Sequence, residues 1–180
     1  GHRSVFVNGD PRGGNDVLYG FVRIPVKLKA GANEFLFSVG RSPLAAKLVP
    51  PPAAAFICDR DVLAPSLVGG RDTGGPVGVV VVNASVQPLS GARIRIAGDL
   101  PEKDAWVDLG VMPALTEKKI ALPARFTSST AGAAGTNHLA QVTLAASDGM
   151  VLDTFSVDLA TVSSTDLRVV TRISAIDGSA

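Results

Sequence analysis

The stretch Val77-Gly78-Val79-Val80-Val81-Val82-Asn83 carries the clearest structural signal in this 180-residue sequence. Its four consecutive valines are apolar and β-branched, which favours an extended strand. A strand with one exposed face alternates apolar and polar residues, whereas a strand that is covered on both faces is continuously apolar. The stretch therefore predicts a central strand of a sheet.

Short β-rich runs bounded by turn residues continue after this strand. Ala92–Ile96 alternates, with Arg93 and Arg95 pointing outward, and Asp148-Gly149 is a strong hairpin signal. The further predicted strands are Ala92–Ala97, Ala105–Leu109, Lys119–Leu122, Leu139–Ala145, Met150–Ala160 and Leu167–Ile173. About seven strands in about 100 residues is the size of an immunoglobulin-like or fibronectin-type sandwich. We predict this sandwich over residues 77–165, with Trp106 as its natural large core residue.

A smaller group of strands is predicted before residue 53. Its runs are Ser4–Asn8, Phe21–Lys29, Asn33–Val39 and Leu44–Val49. Asn8-Gly9 is predicted to form a turn, and Gly31 can adopt the positive φ of a hairpin-type turn. This group is too small for a complete sheet, and we interpret residues 1–52 as an incomplete jelly-roll-like segment.

Between the two groups, Pro50-Pro51-Pro52 stiffens the chain as polyproline II. We predict residues 53–76 as a linker with one strand at Ala55–Cys58, and residues 166–180 as a terminal strand leading to a further domain. The 19 glycines and 12 prolines leave little room for helices. The predicted fold class is therefore all-β, a partial jelly roll followed by an immunoglobulin- or fibronectin-like sandwich.

Composition narrows the possible partners. The net charge is +1 and the pI is about 8.1, so nothing favours nucleic acid or an anionic membrane surface. No apolar run reaches the roughly 18 residues needed to span a bilayer. With 46% hydrophobic residues and a mean hydropathy of +0.30, the chain should bury its excess apolar surface in its own core, against another domain or against a partner chain.

The sequence contains no recognisable catalytic set. Gly-x-Ser-x-Gly is absent, and His2 and His138 are the only histidines. With one cysteine, Cys58, the chain has too few ligands for zinc and no internal disulfide, and we interpret this thiol as a buried core residue. We therefore predict no catalysis by this chain. As an alternative, Asp59 and Asp61 would share a face of a strand and could act as a carboxylate pair.

Two candidate binding sites remain. Asn8, Asp10, Asn15 and Asp16 place four oxygen-bearing side chains in one loop, which could hold a structural calcium ion or could instead cap turns. A phosphate loop at residues 9–14 is disfavoured because no helix follows it. For carbohydrate, the candidate contacts are Tyr19, Arg23 and Trp106, which could equally be packed side chains. No other cofactor is predicted.

Two parts of the sequence resemble a known arrangement. The stretches "VFVNG", "YGFVRIPVKLKAGANEFLFSVGR" and "KLVPPP" resemble the closing strands of galactose-binding-like jelly rolls, through Asn8, Gly9, Pro25, Val26, Leu28, Lys29, Gly31 and Asn33. The end, "LRVVTRISAIDGSA", is similar to the segment that joins accessory sandwiches to the α/β-hydrolase domain of large bacterial esterases and prolyl-oligopeptidase-type peptidases. These similarities cover roughly the first 50 and the last 14 residues.

The resemblance implies a non-catalytic accessory region of a secreted bacterial hydrolase, located outside the cell, in the periplasm or at the cell surface. Such a region would position the catalytic domain and could contact carbohydrate, and galactose-binding-like modules often hold a structural calcium ion. The alternative is a structural or adhesion-type module whose N-terminal strands are completed by a strand of a partner.

Overall fold

The structure is a computed structural model that describes residues 2–14, 22–40, 43–71, 73–98, 106–126 and 137–163. These residues form strands, turns and irregular segments and include no helix, which confirms the predicted all-β class. Consequently, the described part of the chain has no helix that is long and apolar enough to cross a membrane.

The described residues form eleven strands in three sheets. The strands are β1 (His2–Val7), β2 (Asp10–Arg12), β3 (Phe35–Val39), β4 (Ala55–Leu63), β5 (Leu67–Val68), β6 (Thr73–Asn83), β7 (Arg93–Gly98), β8 (Val107–Asp108), β9 (Thr116–Phe126), β10 (Asn137–Ala145) and β11 (Val151–Val162). The sheet orders are β2-β1-β3, β4-β6-β9 and β5-β11-β10-β7-β8. All pairings are antiparallel except the short parallel pairing of β5 with β11.

The valine-rich stretch occupies the position predicted for it. It forms most of β6, which lies between β4 and β9. Val77, Val79 and Val81 point toward the main core and are fully buried, while Val80 and Val82 are buried on the opposite face of the same strand. Both faces of β6 are therefore covered, which is why the stretch has no polar alternation.

The larger two sheets contribute to one hydrophobic cluster. Sheet β4-β6-β9 supplies Ile57, the inward valines of β6, Ile120 and Leu122, and the five-stranded sheet supplies Leu67, Ile94, Ile96, Val142, Leu144, Val157 and Leu159. Leu109 and Met112 fill the end of the cluster from a loop. Ile94 and Ile96 point inward as the alternation predicted. Trp106, predicted as the large core residue, is instead half-buried beside β8 and outside the cluster.

Asp153 ties the two sheets together at an open edge. Its Oδ2 accepts the backbone N–H of Ile57 on β4 at 2.8 Å, and its Oδ1 accepts the N–H of Thr154 at 2.8 Å. Because β4 pairs with β6 on one side, the Ile57 N–H would otherwise lack a strand partner at the other side of β4. The side chain of β11 therefore supplies a hydrogen bond that a neighbouring strand would normally make.

Asn83 holds together the loops at one end of these sheets. It is 1% exposed, and its Nδ2 donates to the carbonyl oxygens of Gln87 (2.9 Å), Met112 (3.3 Å) and Pro113 (2.9 Å). Its Oδ1 accepts from the backbone N–H and the hydroxyl of Ser85. One amide thus satisfies the loop after β6 and the loop before β9 simultaneously.

Three predicted turns are confirmed by the backbone angles. Asn8 (φ 53°) and Gly9 (φ 89°) form the two-residue turn between β1 and β2, Gly31 has φ 83°, and Gly149 has φ 90° between β10 and β11. Both central residues of the first turn have positive φ, as a type I′ hairpin turn requires.

Two predicted strands are wrong over the residues described. Residues 22–29 of the predicted strand Phe21–Lys29 form no strand, and Pro25 within them has no N–H to donate to a ladder. Residues 44–49 also form no strand and are exposed between Pro43 and Pro50. The predicted strand Leu167–Ile173 and the terminal segment 166–180 lie outside the described residues.

Residues 53–76, predicted as a linker with one strand, contribute to both larger sheets. The predicted strand Ala55–Cys58 is present but extends to Leu63, and β5 and the first residues of β6 also fall in this range. The sheets therefore begin well before residue 77. The sequence predicted only Ala55–Cys58 here, because glycine, proline and charged residues interrupt the apolar pattern of the other strand residues.

Candidate functional site

The predicted calcium loop is a hydrogen-bonded turn where the structure describes it. Asn8 Nδ2 donates to Asn33 Oδ1 at 2.9 Å, and Asn8 Oδ1 accepts the backbone N–H of Glu34 at 3.1 Å. Asp10 lies on β2 and is exposed. Asn15 and Asp16 lie outside the described residues. The described residues contain no cluster of three or more His, Cys, Asp or Glu side chains that could hold a metal ion.

Asn33 completes this arrangement from the second turn. Its Oδ1 also accepts the N–H of Lys29 at 2.8 Å, and its Nδ2 donates to the carbonyl oxygens of Lys29 and Gly31 at 3.0 Å. The side chain therefore closes its own turn and fastens that turn to Asn8. Asn8 and Asn33, which belong to two separate turns in the sequence, are therefore in direct contact.

The described part of the structure does not bring together the residues predicted to bind carbohydrate. Tyr19 lies outside the described residues. Arg23 forms an ion pair with Asp59, and Trp106 lies beneath two guanidinium groups, because the Cζ atoms of Arg93 and Arg95 are each 4.7 Å from its ring centroid. A ring face covered by a guanidinium is not available for a sugar to stack on.

The carboxylates considered as a catalytic pair have separate cationic partners. Asp59 Oδ1 lies 3.2 Å from Arg23 and its Oδ2 lies 3.7 Å from Arg60, whereas Asp61 Oδ2 lies 2.7 Å from Lys119. Asp61 also has a positive φ of 57°, where the β4–β6 pairing is irregular. The local backbone therefore departs from the regular strand on which a shared face was predicted.

The remaining candidate residues are dispersed. His2 lies on β1 with its ring edge-on to Phe37, at 5.3 Å between centroids, and half-buried His138 lies on β10. Cys58 is 1% exposed, as predicted for a buried thiol, but it belongs to a small cluster with Val80 and Val82 rather than to the main core.

This small cluster lies on the outer face of sheet β4-β6-β9. Strand register places Phe56 with Val82 and Glu117 in one row, and Cys58 with Val80 and Lys119 in the next. All these side chains point away from the main core, because the adjacent residues Ile57, Val81 and Ile120 point into it. The outer face is thus apolar on β4 and β6 and charged on β9.

Residues 22–26, which we call the strap, contact this face through Arg23. All five are half-buried although they form no strand. The Arg23 guanidinium reaches Asp59 on β4, and the Arg23 backbone N–H donates to the Glu117 carboxylate on β9. The hydrogen bond to Asp59 raises the pKa of Arg23, with a smaller contribution in the same direction from the adjacent Cys58. The sequence analysis placed these residues in the predicted strand Phe21–Lys29, and no local pattern indicated that Arg23 would contact β4 and β9.

The N-terminal sheet β2-β1-β3 has two different faces. Val5 and Val7 are buried on one face, opposite Phe37 and Phe35 of β3. On the other face Phe6 pairs with Leu36, and these side chains are 39% and 63% exposed. Phe6 and Leu36 therefore form an apolar cross-strand pair that faces solvent.

The edges of this sheet also differ. The β2 edge contains Pro11 between Asp10 and Arg12, and both proline and charge discourage further strand pairing. The β3 edge, Phe-Leu-Phe-Ser-Val, has neither.

No protein-family model matches the sequence, and no curated protein matches it. The contacts described above are therefore the basis for inferring function.

Proposed function

We propose that this chain is a non-catalytic accessory region of a secreted bacterial hydrolase that docks on and positions the neighbouring catalytic domain. The observation that carries the proposal is the solvent-facing pair of Phe6 and Leu36 on the N-terminal sheet. The resemblance of the first 50 residues to galactose-binding-like jelly rolls supports the assignment of this sheet to such a module. Two larger sheets with one shared core support an immunoglobulin-like sandwich for the rest.

The polar side chains support a structural role. Asn8, Asn33, Asn83 and Asp153 use their side-chain groups to bond turns, loops and a strand edge. Asp59 and Asp61 are neutralised by different cations. Polar groups used in this way stabilise the fold and are not positioned around a common reaction centre. The proposal assigns no carbohydrate site to Trp106, and flat calorimetric titrations with a panel of oligosaccharides are the expected result.

Light scattering on the isolated chain tests the docking surface. We expect concentration-dependent association that the double variant Phe6→Ser/Leu36→Thr abolishes, because it removes the apolar pair. Leu139→Thr is the matched control, since Leu139 has the same 63% exposure as Leu36 but lies on β10. A wild-type chain that stays monomeric at all concentrations, and that binds no hydrophobic dye at this face, would remove docking from the proposal.

The hydrolase part has its own test in the coding sequence of the parent protein. A Gly-x-Ser-x-Gly motif after a predicted strand, downstream of residue 180, is expected if the neighbouring domain is an α/β-hydrolase. The coding sequence of another kind of domain there would contradict this assignment without affecting the docking surface.

A second candidate function, an adhesion-type module completed by a partner strand, is favoured by the β3 edge. An extended segment could add to β3 and continue the Phe6–Leu36 face. The Asn8–Glu34 hydrogen bond sets the ladder so that the N–H of Ser38 points to β1 and that of Val39 points to the open edge. Val39→Pro would therefore block main-chain pairing at this edge but leave Phe6 and Leu36 in place. Association that persists in Val39→Pro, but not in the double variant, indicates docking by side chains. Association lost in both indicates strand addition.

A further inference from the structure

Cys58, Val80 and Val82 are nearly inaccessible although they lie on the outer face of a three-stranded sheet. The strap is the described segment whose contacts span this face, from Asp59 on β4 to Glu117 on β9. Arg23 is bonded to both outer strands of the sheet, β4 and β9, and its guanidinium also contacts the Cys58 side chain. A segment outside the sheet therefore contributes to the cover of Cys58.

The contacts that hold the strap are weak by comparison with those of the sheet. The Arg23 and Asp59 side chains are 38% and 61% exposed, and ion pairs as exposed as this contribute little to stability. Pro25 has no backbone donor, and residues 22–26 take part in no strand pairing. Segments with few main-chain hydrogen bonds and partial burial open at a lower free energy than the strands beneath them.

We propose that residues 22–26 are a releasable strap, fastened by Arg23, that opens without unfolding of the sheets and thereby uncovers Cys58 and the outer apolar face of β6. The strap follows the β1–β2 hairpin and precedes β3 in the chain. This device does not depend on the identity of the neighbouring domain or on the docking surface.

The reaction of Cys58 with an aromatic disulfide reagent reports strap opening, since this is the one cysteine of the chain. In the reaction the Cys58 thiolate attacks the reagent disulfide, a mixed disulfide forms and the coloured aryl thiolate leaves. We expect the rate in the wild-type chain to be almost independent of urea below the unfolding transition, because local opening exposes little surface.

Two variants separate the strap from the sheet. Arg23→Ala is expected to raise the reaction rate about twofold to fivefold, the range for loss of one exposed ion pair, with the urea midpoint of global unfolding unchanged. The control Lys119→Ala removes the ion pair with Asp61 on the same sheet face, and the rate should remain that of the wild type. A rate that rises with urea as steeply as global unfolding, or equal rates in the two variants, would overturn the proposal.

Discussion

Asn8 and Asn33 are joined through their side chains, at 2.9 Å from Asn8 Nδ2 to Asn33 Oδ1, although 25 positions separate them. Each side chain also accepts a backbone N–H. Asn8 accepts that of Glu34, next to Asn33, and Asn33 accepts that of Lys29 in its own turn. The β1–β2 hairpin and the turn before β3 are thereby held in register. The contact therefore joins the two turns directly.

This relationship yields a prediction about calcium. Because the side chain of Asn8 is already bonded to Asn33 and Glu34, we expect added Ca²⁺ to leave the thermal unfolding temperature unchanged, and Asn33→Ala to lower stability by about 1–2 kcal/mol through the lost hydrogen bonds. Thermal unfolding with Ca²⁺ and with a chelator measures this. A Ca²⁺-dependent rise that Asp10→Asn abolishes would show that the loop is a calcium site.

Gly14 and Gly13 are expected to differ sharply on substitution by alanine. A Cβ at position 14 would overlap the backbone carbonyl of Arg3 and lie 2.8 Å from the carbonyl oxygen of His2, whereas a Cβ at position 13 meets nothing within 4 Å. Gly14→Ala should therefore disturb β1, because backbone atoms cannot move aside as a flexible side chain can. Hydrogen exchange of the β1 amides compares the variants, and equal protection in both would contradict the prediction.

Asn83→Asp tests the loop clamp at the end of the larger sheets. The substitution replaces a buried amide donor, bonded to three carbonyl oxygens, by a carboxylate that can only accept when ionised. We expect a loss of roughly 3 kcal/mol or more in the free energy of unfolding at neutral pH. Urea titration measures the loss, and Gln141→Glu, at an exposed position on β10, is the control. Similar midpoints for these two variants would show that Asn83 does not act as a clamp.

Glu117 predicts a pH dependence with a defined sign. Burial raises the pKa of Glu117, Asp61 adds to the increase, and the Arg23 N–H partly opposes it. Since the folded state then holds the proton more tightly than the unfolded state, the associated stabilisation is present below the ordinary glutamate pKa and is lost as pH rises through the raised pKa.

Glu117→Gln removes this titration and keeps an acceptor for the Arg23 N–H. As the pH falls from neutral to about 3, the wild type should gain stability relative to the variant. Urea unfolding of both proteins across this range is the measurement. A difference in stability that is constant with pH, or that changes in the opposite direction, would contradict the assignment.

The residues that could be interpreted from sequence are those whose pattern is local. The valines of β6 indicate a central strand because continuous apolarity has one simple explanation in a sheet, and Asn8-Gly9 indicates a turn because these residues tolerate positive φ. The ordinary strands β7, β10 and β11 follow from alternation and from the Asp148-Gly149 turn.

Contacts between distant segments required the tertiary structure. No local pattern links Arg23 to Asp59, Asp153 to Ile57 or Trp106 to the arginines of β7, since the partners are far apart in sequence and each has other plausible environments. The extension of β4 beyond the predicted Ala55–Cys58 and the two-residue strand β5 also depend on distant partners, because they are defined by their pairing with β6 and β11.

The all-β class, the central position of β6 and the main turns follow from local sequence, because hydrophobic periodicity and backbone preferences act over a few neighbouring residues. Which polar groups remain available for function depends on the three-dimensional fold. The structure pairs Asp59 and Asp61 with separate cations, places two guanidiniums over Trp106 and brings Arg23 to Cys58. These contacts depend on chain segments brought together by burial of the cores, which local sequence does not encode.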